Sequence, residues 1–177
     1  ESKEDFINAC SRLAEAVMRL PGNSREEAMQ WASKAYNAAY ALNDKYYQMV
    51  TLFTLAFTEL DFNETSNMLR RLTDGLKLAN ELNNEAYIDK FTSWIGIYHD
   101  VRGDFARALP YYQAQVATAE KRRHEVADEY KLDFWKEAWG GYSNIISCQL
   151  QLKDFAGAIN SIERSSGRLL FENIAKK

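Results

Sequence analysis

The chain has 177 residues, a formal net charge of -3, 46% hydrophobic and 27% charged residues, and only eight glycines and two prolines. Its apolar content excludes wholesale disorder, and the scarcity of glycine and proline argues against loop-rich and all-β folds. The small negative charge offers no field for a phosphate backbone, so we expect neither nucleic acid nor a membrane as partner.

Apolar residues recur at helical spacing along the chain, and no stretch sustains the alternation of a strand. This periodicity predicts helices near 3–20, 24–42, 44–61, 64–82, 84–102, 104–124, 128–152 and 154–175. The candidate N-caps are Asn23 or Ser24, Asp44, Asn63, Asp104 and Asp154, and the candidate helix stops are Gly22 and Gly103. Pro110 should bend the sixth helix unless that helix starts later, because proline lacks a backbone donor.

An internal repeat groups these helices into pairs. The small or apolar residue near the start of each second helix lies at Ala28, Met68, Ala108 and Ala158, at intervals of 40, 40 and 50. Four positions later, the next inward layer consists of Ala32, Leu72, Tyr112 and Ile162. The ten extra residues of the last interval predict longer helices around 121–130 and a protruding hairpin tip.

The repeat and the periodicity together predict an all-α fold. We expect a right-handed α-solenoid of about four antiparallel helical hairpins, with a period of about 40 residues. The units are about 1–43, 44–83, 84–127 and 128–177, within a single repeat domain at 1–177. Since the chain begins with glutamate and not methionine, we expect it to be a segment of a longer protein.

Part of the third unit resembles a tetratricopeptide repeat. The residues that carry the resemblance are Trp94-Ile95-Gly96, Gly103-Asp104-Phe105-Ala106-Arg107-Ala108 and Tyr111-Tyr112, and the fourth unit repeats the turn as Lys153-Asp154-Phe155-Ala156-Gly157-Ala158. The chain departs from the family at Thr92 and His99, where the family has Trp and Tyr, and in its period of 40 instead of 34. The resemblance implies stacked helical hairpins that bind proteins or peptides.

The last helix resembles those that close the repeat arrays of CHAT proteins, in which a caspase-like protease domain follows. The residues are Ala158, Glu163-Arg164-Ser165, Arg168 and Leu170. The resemblance implies that this chain is the sensor or scaffold part and that the protease's catalytic His and Cys lie beyond Lys177. Similar helices also occur in arrays of bacterial signalling proteins and transcription regulators.

The sequence contains no phosphate-binding glycine loop, no dinucleotide fingerprint and no His-Glu metal motif. His99 and Asp100 diverge by about 100° as neighbours on a helix, so we interpret His99 as an interface residue. Cys10 and Cys148 fit neither a disulfide framework nor a zinc site, and we expect buried thiols in a cytoplasmic protein. We expect no enzymatic activity and no cofactor; a helical metal-dependent enzyme is the least favoured alternative.

The first helix of each hairpin should face the concave side of a stacked array. The repeat offset nominates a partner-binding groove formed by Phe53, Thr54, Phe57, Lys90, Trp94, Ile97, Asp100, Ser143 and Asn144. Packing against a neighbouring hairpin is the alternative for each of them. We expect a scaffold or sensor that binds a protein or peptide for a larger signalling protein, or alternatively a regulatory spacer that contacts its own downstream effector domain.

Two features near the end of the chain suggest further contacts. The basic run Lys121-Arg122-Arg123-His124 suits the negative end of a helix dipole, with an acidic partner as the alternative. An apolar stripe continues along the last helix through Ile162, Leu169, Leu170, Phe171 and Ile174. We expect this stripe to be covered by a following domain or by a dimer formed through the C-terminal helix.

Overall fold

The computed structural model describes residues 2–20, 22, 24–61, 67–125 and 131–175, without the side chains of 60–61, 122–139 and 167–175. Its helices are α1 (Lys3–Arg19), α2 (Arg25–Leu42), α3 (Lys45–Asp61), α4 (Met68–Glu81), α5 (Glu85–Val101), α6 (Phe105–Glu125), α7 (Lys131–Gln151) and α8 (Phe155–Ala175). Over these ranges every regular element is a helix, so the all-α prediction is confirmed. None of the described helices is long and apolar enough to cross a bilayer.

The turns between helices use one device repeatedly. A residue with positive φ ends the preceding helix at Asn43, Asn83, Gly103 and Lys153. The next residue then caps the following helix, with the side-chain oxygen of Asp44, Asn84, Asp104 or Asp154 accepting a backbone N–H. This arrangement satisfies donors that a helix N-terminus leaves without a partner.

The described caps and stops agree with the sequence prediction. Ser24 accepts the backbone N–H of Glu27 at the start of α2, and Gly22 has a φ of 73° before it. The predicted caps Asn23 and Asn63 lie outside the described residues. Pro110 lies inside α6, which begins at Phe105 and continues to Glu125, so the proline does not end the helix.

Residues 1–94 form one compact unit. In it α1 packs on α2, α2 on α3, and α3 on α4, and α1 also contacts α3. Four fully buried alanines run along α2 at Ala28, Ala32, Ala35 and Ala39. These small side chains let the neighbouring helices approach closely, while Trp31 packs against all three apolar clusters of α1 and α2.

Residues 95–177 form the second compact unit. Here α6 packs on α7 and α7 on α8. The core cluster consists of Ala108, Tyr112, Val116, Tyr142, Ile145 and Cys148. Glu120 ties the three helices together, because it accepts a hydrogen bond from the Tyr142 hydroxyl and lies 3.8 Å from the Arg164 guanidinium.

The predicted inward layers hold except at the last hairpin. Ala28, Met68, Ala108 and Ala158 are all buried, as are Ala32, Leu72 and Tyr112 in the next layer. Ile162 was expected to share that burial, but its side chain is 46% exposed. The physical reason is coverage: Ala32 lies against Leu55 of α3, and Tyr112 lies against α7, whereas no described helix follows α8.

Three hairpins share a polar contact between residues 12 positions apart. Arg71 Nε donates to Glu59 Oε1, the Tyr112 hydroxyl donates to Asp100 Oδ2, and the Ser161 hydroxyl donates to Gln149 Oε1, each at 2.9 Å. In each pair the acceptor lies near the end of one helix, and the donor lies among the first eight residues of the next helix. A polar contact of the same spacing therefore joins the two helices of each of three successive hairpins.

Candidate functional site

The structure brings four of the nine predicted groove residues together within residues 1–94. Phe53 and Phe57 lie on α3, and Lys90 and Trp94 lie on α5. The Trp94 ring centroid lies 6.0 Å from that of Phe53 and 5.0 Å from that of Phe57. These contacts lie between α3 and α5; that the residues line a partner-binding groove stays a prediction.

Tyr87 completes this surface, although the repeat offset does not predict it. Its ring lies 6.0 Å from the Phe53 ring at an interplanar angle of 88°, and the Trp94 ring stands at 87° to the same Phe53 ring. Tyr87 and Trp94 are seven positions apart on α5 and so lie on one face of that helix. We call these three half-buried rings the aromatic corner: Phe53 forms its floor, and Tyr87 and Trp94 stand beside it.

A fully buried residue supports the corner from below. The Phe91 ring lies 5.6 Å from the Phe53 ring and packs over Gly75 of α4. A Cβ atom on Gly75 would lie 2.2 Å from Phe91 Cζ, so only glycine leaves room for this ring. The floor of the corner therefore depends on a close helix-to-helix approach that glycine permits.

Lys90 lies over the corner. Its ammonium nitrogen is 4.7 Å from the centre of the Tyr87 ring and 5.6 Å from the centre of the Phe53 ring. Both distances fall within the roughly 6 Å range of a cation–π interaction. The lysine is exposed, and on α5 it is three residues after Tyr87 and four before Trp94, positions that share one helix face.

A carboxylate of α1, that of Glu15, acts electrostatically on Tyr87. Burial raises the pKa of Tyr87, and the nearby Tyr46 phenol and Glu15 carboxylate raise it further. Tyr87 is therefore a neutral phenol at physiological pH. Glu15 supplies a carboxylate close enough to influence that phenol.

Two predicted groove residues make packing contacts, and of the two only Thr54 is buried, while Phe57 is half-buried. Thr54 is buried, and its hydroxyl donates to the backbone carbonyl of Val50. Phe57 packs against the buried cluster that contains Val17 and Met18 as well as against Trp94. Phe57 therefore anchors the surface to the core of the first unit.

The other four predicted residues belong to the second unit. Ile97 packs against the core cluster around Tyr112, and Asp100 accepts the hydrogen bond of the Tyr112 hydroxyl. Ser143 is exposed on α7, and Asn144 is half-buried there. The described contacts thus assign Ile97 and Asp100 to internal packing and hydrogen bonding.

The residues with possible nucleophilic or basic chemistry are held in packed positions. Cys10 and Cys148 are free, buried thiols, and burial raises the pKa of each, that of Cys148 to about 11. His99 is buried and stacks on Tyr111 at 6.0 Å, and burial lowers its pKa. Among the described residues no cluster of three His, Cys, Asp or Glu side chains could hold a metal ion.

Two predicted features lie outside the described side chains. They are the residues Arg122, Arg123 and His124 of the basic run, and Leu169, Leu170, Phe171 and Ile174 of the C-terminal stripe. The described part of α8 exposes Phe155, Ile159 and Ile162, whose spacing places them on one face of the helix. Three of its apolar side chains therefore meet solvent.

Neither the comparison with protein-family models nor the comparison with curated proteins finds a match for this chain. The aromatic corner and Lys90 form a surface, among the described residues, that combines exposure, aromatic area and charge.

Proposed function

We propose that this chain is a non-catalytic interaction module that binds a protein or peptide segment through the aromatic corner. The observation that supports the proposal is the set of three half-buried rings at near-perpendicular angles, with an exposed lysine over two of them. Aromatic residues and cations at a partly exposed surface are typical of the residues that dominate binding energy in protein interfaces. The rigid support from Phe57 and Phe91 lowers the entropic cost of binding.

We propose further that the module is a tetratricopeptide-like array of right-handed hairpins with a period of about 40 residues. The repeated turn supports it, because Asn43 and Asn83 end helices 40 residues apart and Gly103 and Lys153 end helices 50 residues apart. The polar contact across 12 positions also recurs within one residue of these offsets. In this proposal the chain works in the cytoplasm as the scaffold or sensor part of a larger signalling protein. The CHAT resemblance of α8 makes a caspase-like effector the first domain to look for.

A second candidate function is a regulatory spacer that contacts its own downstream domain. The observation that favours it is the exposed stripe on α8, where Phe155 and Ile159 are 61% and 58% exposed and Ile162 continues the same face. Each large apolar side chain left in water forgoes about 1.5–3 kcal/mol of burial. A domain or a second copy that covered this stripe would recover that free energy.

Peptide selection followed by NMR mapping tests the proposed binding surface. Peptides selected from a random display library on the purified chain should perturb the backbone resonances of α3 and α5 around Phe53, Tyr87 and Trp94. The Trp94→Ala variant should lose the perturbation, provided that its thermal unfolding shows a folded protein. Tyr40→Ala is the matched control, since Tyr40 is an exposed aromatic residue of α2 outside the corner.

Perturbations that map to the exposed α8 residues Phe155, Ile159 and Ile162 would favour the spacer function. Perturbations that survive Trp94→Ala but disappear in Tyr40→Ala would contradict the assignment of the corner.

A further inference from the structure

We propose that the aromatic corner recognises a cationic group of its partner, and that Lys90 occupies this position in the unbound protein. The inference rests on the proposed function, because it names the chemistry of the ligand for the same surface. The ligand class is a weakly hydrated cation, either an alkylated or quaternary ammonium or an arginine guanidinium, carried by a protein segment.

The arrangement of the rings is the first argument. The faces of aromatic rings carry the negative part of the ring quadrupole, and they attract cations. Tyr87 and Trp94 both stand nearly perpendicular to Phe53, at 88° and 87°, with equal centroid distances of 6.0 Å. Rings at right angles can direct more than one face to a single cation, as in aromatic cages that bind methylated ammonium groups.

The position of the Lys90 ammonium is the second argument. It contacts two rings of the corner at once, at 4.7 and 5.6 Å from their centres. The other cation–ring contacts that the structure describes involve one ring each, Lys34 over Trp31 and Arg102 over Tyr98. The corner thus already holds a cation, supplied by the protein itself on a flexible and exposed side chain.

The surrounding charge is the third argument. Glu15 lies close enough to Tyr87 to raise its pKa, so a carboxylate accompanies the rings. A carboxylate beside aromatic faces favours a positive ligand and disfavours a negative one. An acidic partner would be attracted by Lys90 but would be repelled by the Glu15 carboxylate and by the negative faces of the rings.

Lys90 therefore acts as an internal competitor. A primary ammonium is strongly hydrated. A guanidinium and an alkylated ammonium group are both more weakly hydrated. Such a ligand loses less hydration when it replaces Lys90 on the rings. The displaced lysine returns to solvent without leaving a buried charge, because its side chain is exposed.

Choline is a suitable probe, and its neutral isostere with carbon in place of nitrogen is the chemical control. We would follow the indole N–H of Trp94 by NMR, assigned through Trp94→Phe, in the wild type, Lys90→Met and Lys34→Met. Lys90→Met should bind choline about two- to five-fold more tightly than the wild type, the range expected from an exposed cation–π contact. Lys34→Met, which removes an ammonium from a single ring that is not part of the corner, should bind as the wild type does.

The Lys90 side chain provides an independent readout. Its Cε protons should be shifted upfield by ring currents in the free protein and should return toward ordinary values as choline is added. Phe53→Leu should reduce both the initial shift and the choline affinity. A Lys90 Cε resonance at its ordinary position in the free protein would overturn the proposed occupancy.

The remaining outcomes separate this inference from the proposed function. Equal binding of choline and its neutral isostere, or unchanged affinity in Lys90→Met, would refute the cationic ligand. If selected peptides instead carry acidic residues and lose binding in Lys90→Met, the corner is a binding surface but recognises an anion. If choline binds and no peptide does, the proposed function fails while the cation site stands.

Discussion

Gly75→Ala is expected to destabilise the first unit although alanine is the better helix former. Gly75 lies inside α4, where replacing glycine with alanine ordinarily stabilises a helix by about 1 kcal/mol. At this position the new Cβ would lie 2.2 and 2.3 Å from two carbons of the Phe91 ring. Overpacking of this kind costs about 1–3 kcal/mol, so after the gain in helix propensity the net expected loss is about 0–2 kcal/mol.

The Phe91 ring cannot move away cheaply. It is fully buried and contacts both Phe53 and Tyr87, so a displacement would also disturb the floor of the aromatic corner. Gly140→Ala is the matched control, because Gly140 is also inside a helix but a Cβ there meets nothing within 4 Å. Alanine at Gly140 should stabilise by about 0.5–1 kcal/mol.

Urea unfolding followed by circular dichroism measures both free energies. The double variant Gly75→Ala with Phe91→Leu should show a favourable coupling, since the smaller side chain relieves the overlap. If Gly75→Ala stabilised the protein as much as Gly140→Ala does, the close packing of Phe91 on α4 would be refuted.

Three further outcomes follow from the packing. Phe57→Ala should cost about 3 kcal/mol in urea unfolding, since Phe57 packs on the core cluster of α1 and α2; an unchanged midpoint would instead place the ring in an open groove. Burial raises the pKa of Glu59 above its ordinary 4.5 in spite of Arg71. Acidification from pH 7 toward 4.5 should therefore stabilise the folded wild type by a contribution that the Glu59→Gln variant lacks. Parallel pH profiles of the melting temperature would contradict that shift. Asp44→Ala should cost about 1 kcal/mol by removing the N-cap of α3, whereas Asp44→Ser should largely restore it.

The sign of the Glu59 effect follows from linkage. A carboxyl group with a raised folded-state pKa binds its proton more tightly when the protein is folded than when it is unfolded. The stabilisation is therefore complete below the ordinary value of 4.5, and it is lost as the pH rises through the folded-state pKa. The buried Oε2 atom of Glu59, which has no hydrogen-bond partner among the described groups, is the physical origin of the penalty.

Local signals in the sequence were sufficient for the helices and their ends. Apolar spacing and capping residues such as Ser24 and Asp154 act within a few positions, and the described boundaries agree with them. The largest difference between a predicted and an observed helix start is at α4, which was expected to begin at 64 and begins at Met68. Residues 62–66, which precede it, are not among the described residues. Ile162 was misassigned because burial depends on which helix covers a face, and spacing alone does not carry that information.

The aromatic corner was predicted only in part. The repeat offset nominated Phe53 and Trp94 for the same surface, and their rings are in contact, although the position equivalent to Trp94 at an offset of 40 is Thr54. Tyr87 was missed, although its spacing of three from Lys90 and seven from Trp94 places it on the same face of α5. Thr54 was nominated by the same offset, and its burial follows from side-chain direction around α3, which an offset does not resolve.

The affinity of one selected peptide for three proteins tests the central claim most directly. Isothermal titration would compare the wild type, Trp94→Ala and Tyr40→Ala, with folding verified by thermal unfolding. We expect Trp94→Ala to weaken binding at least about ten-fold, the equivalent of about 1.4 kcal/mol, and Tyr40→Ala to leave the affinity unchanged. Equal affinities for Trp94→Ala and the wild type would show that the aromatic corner is not the binding surface.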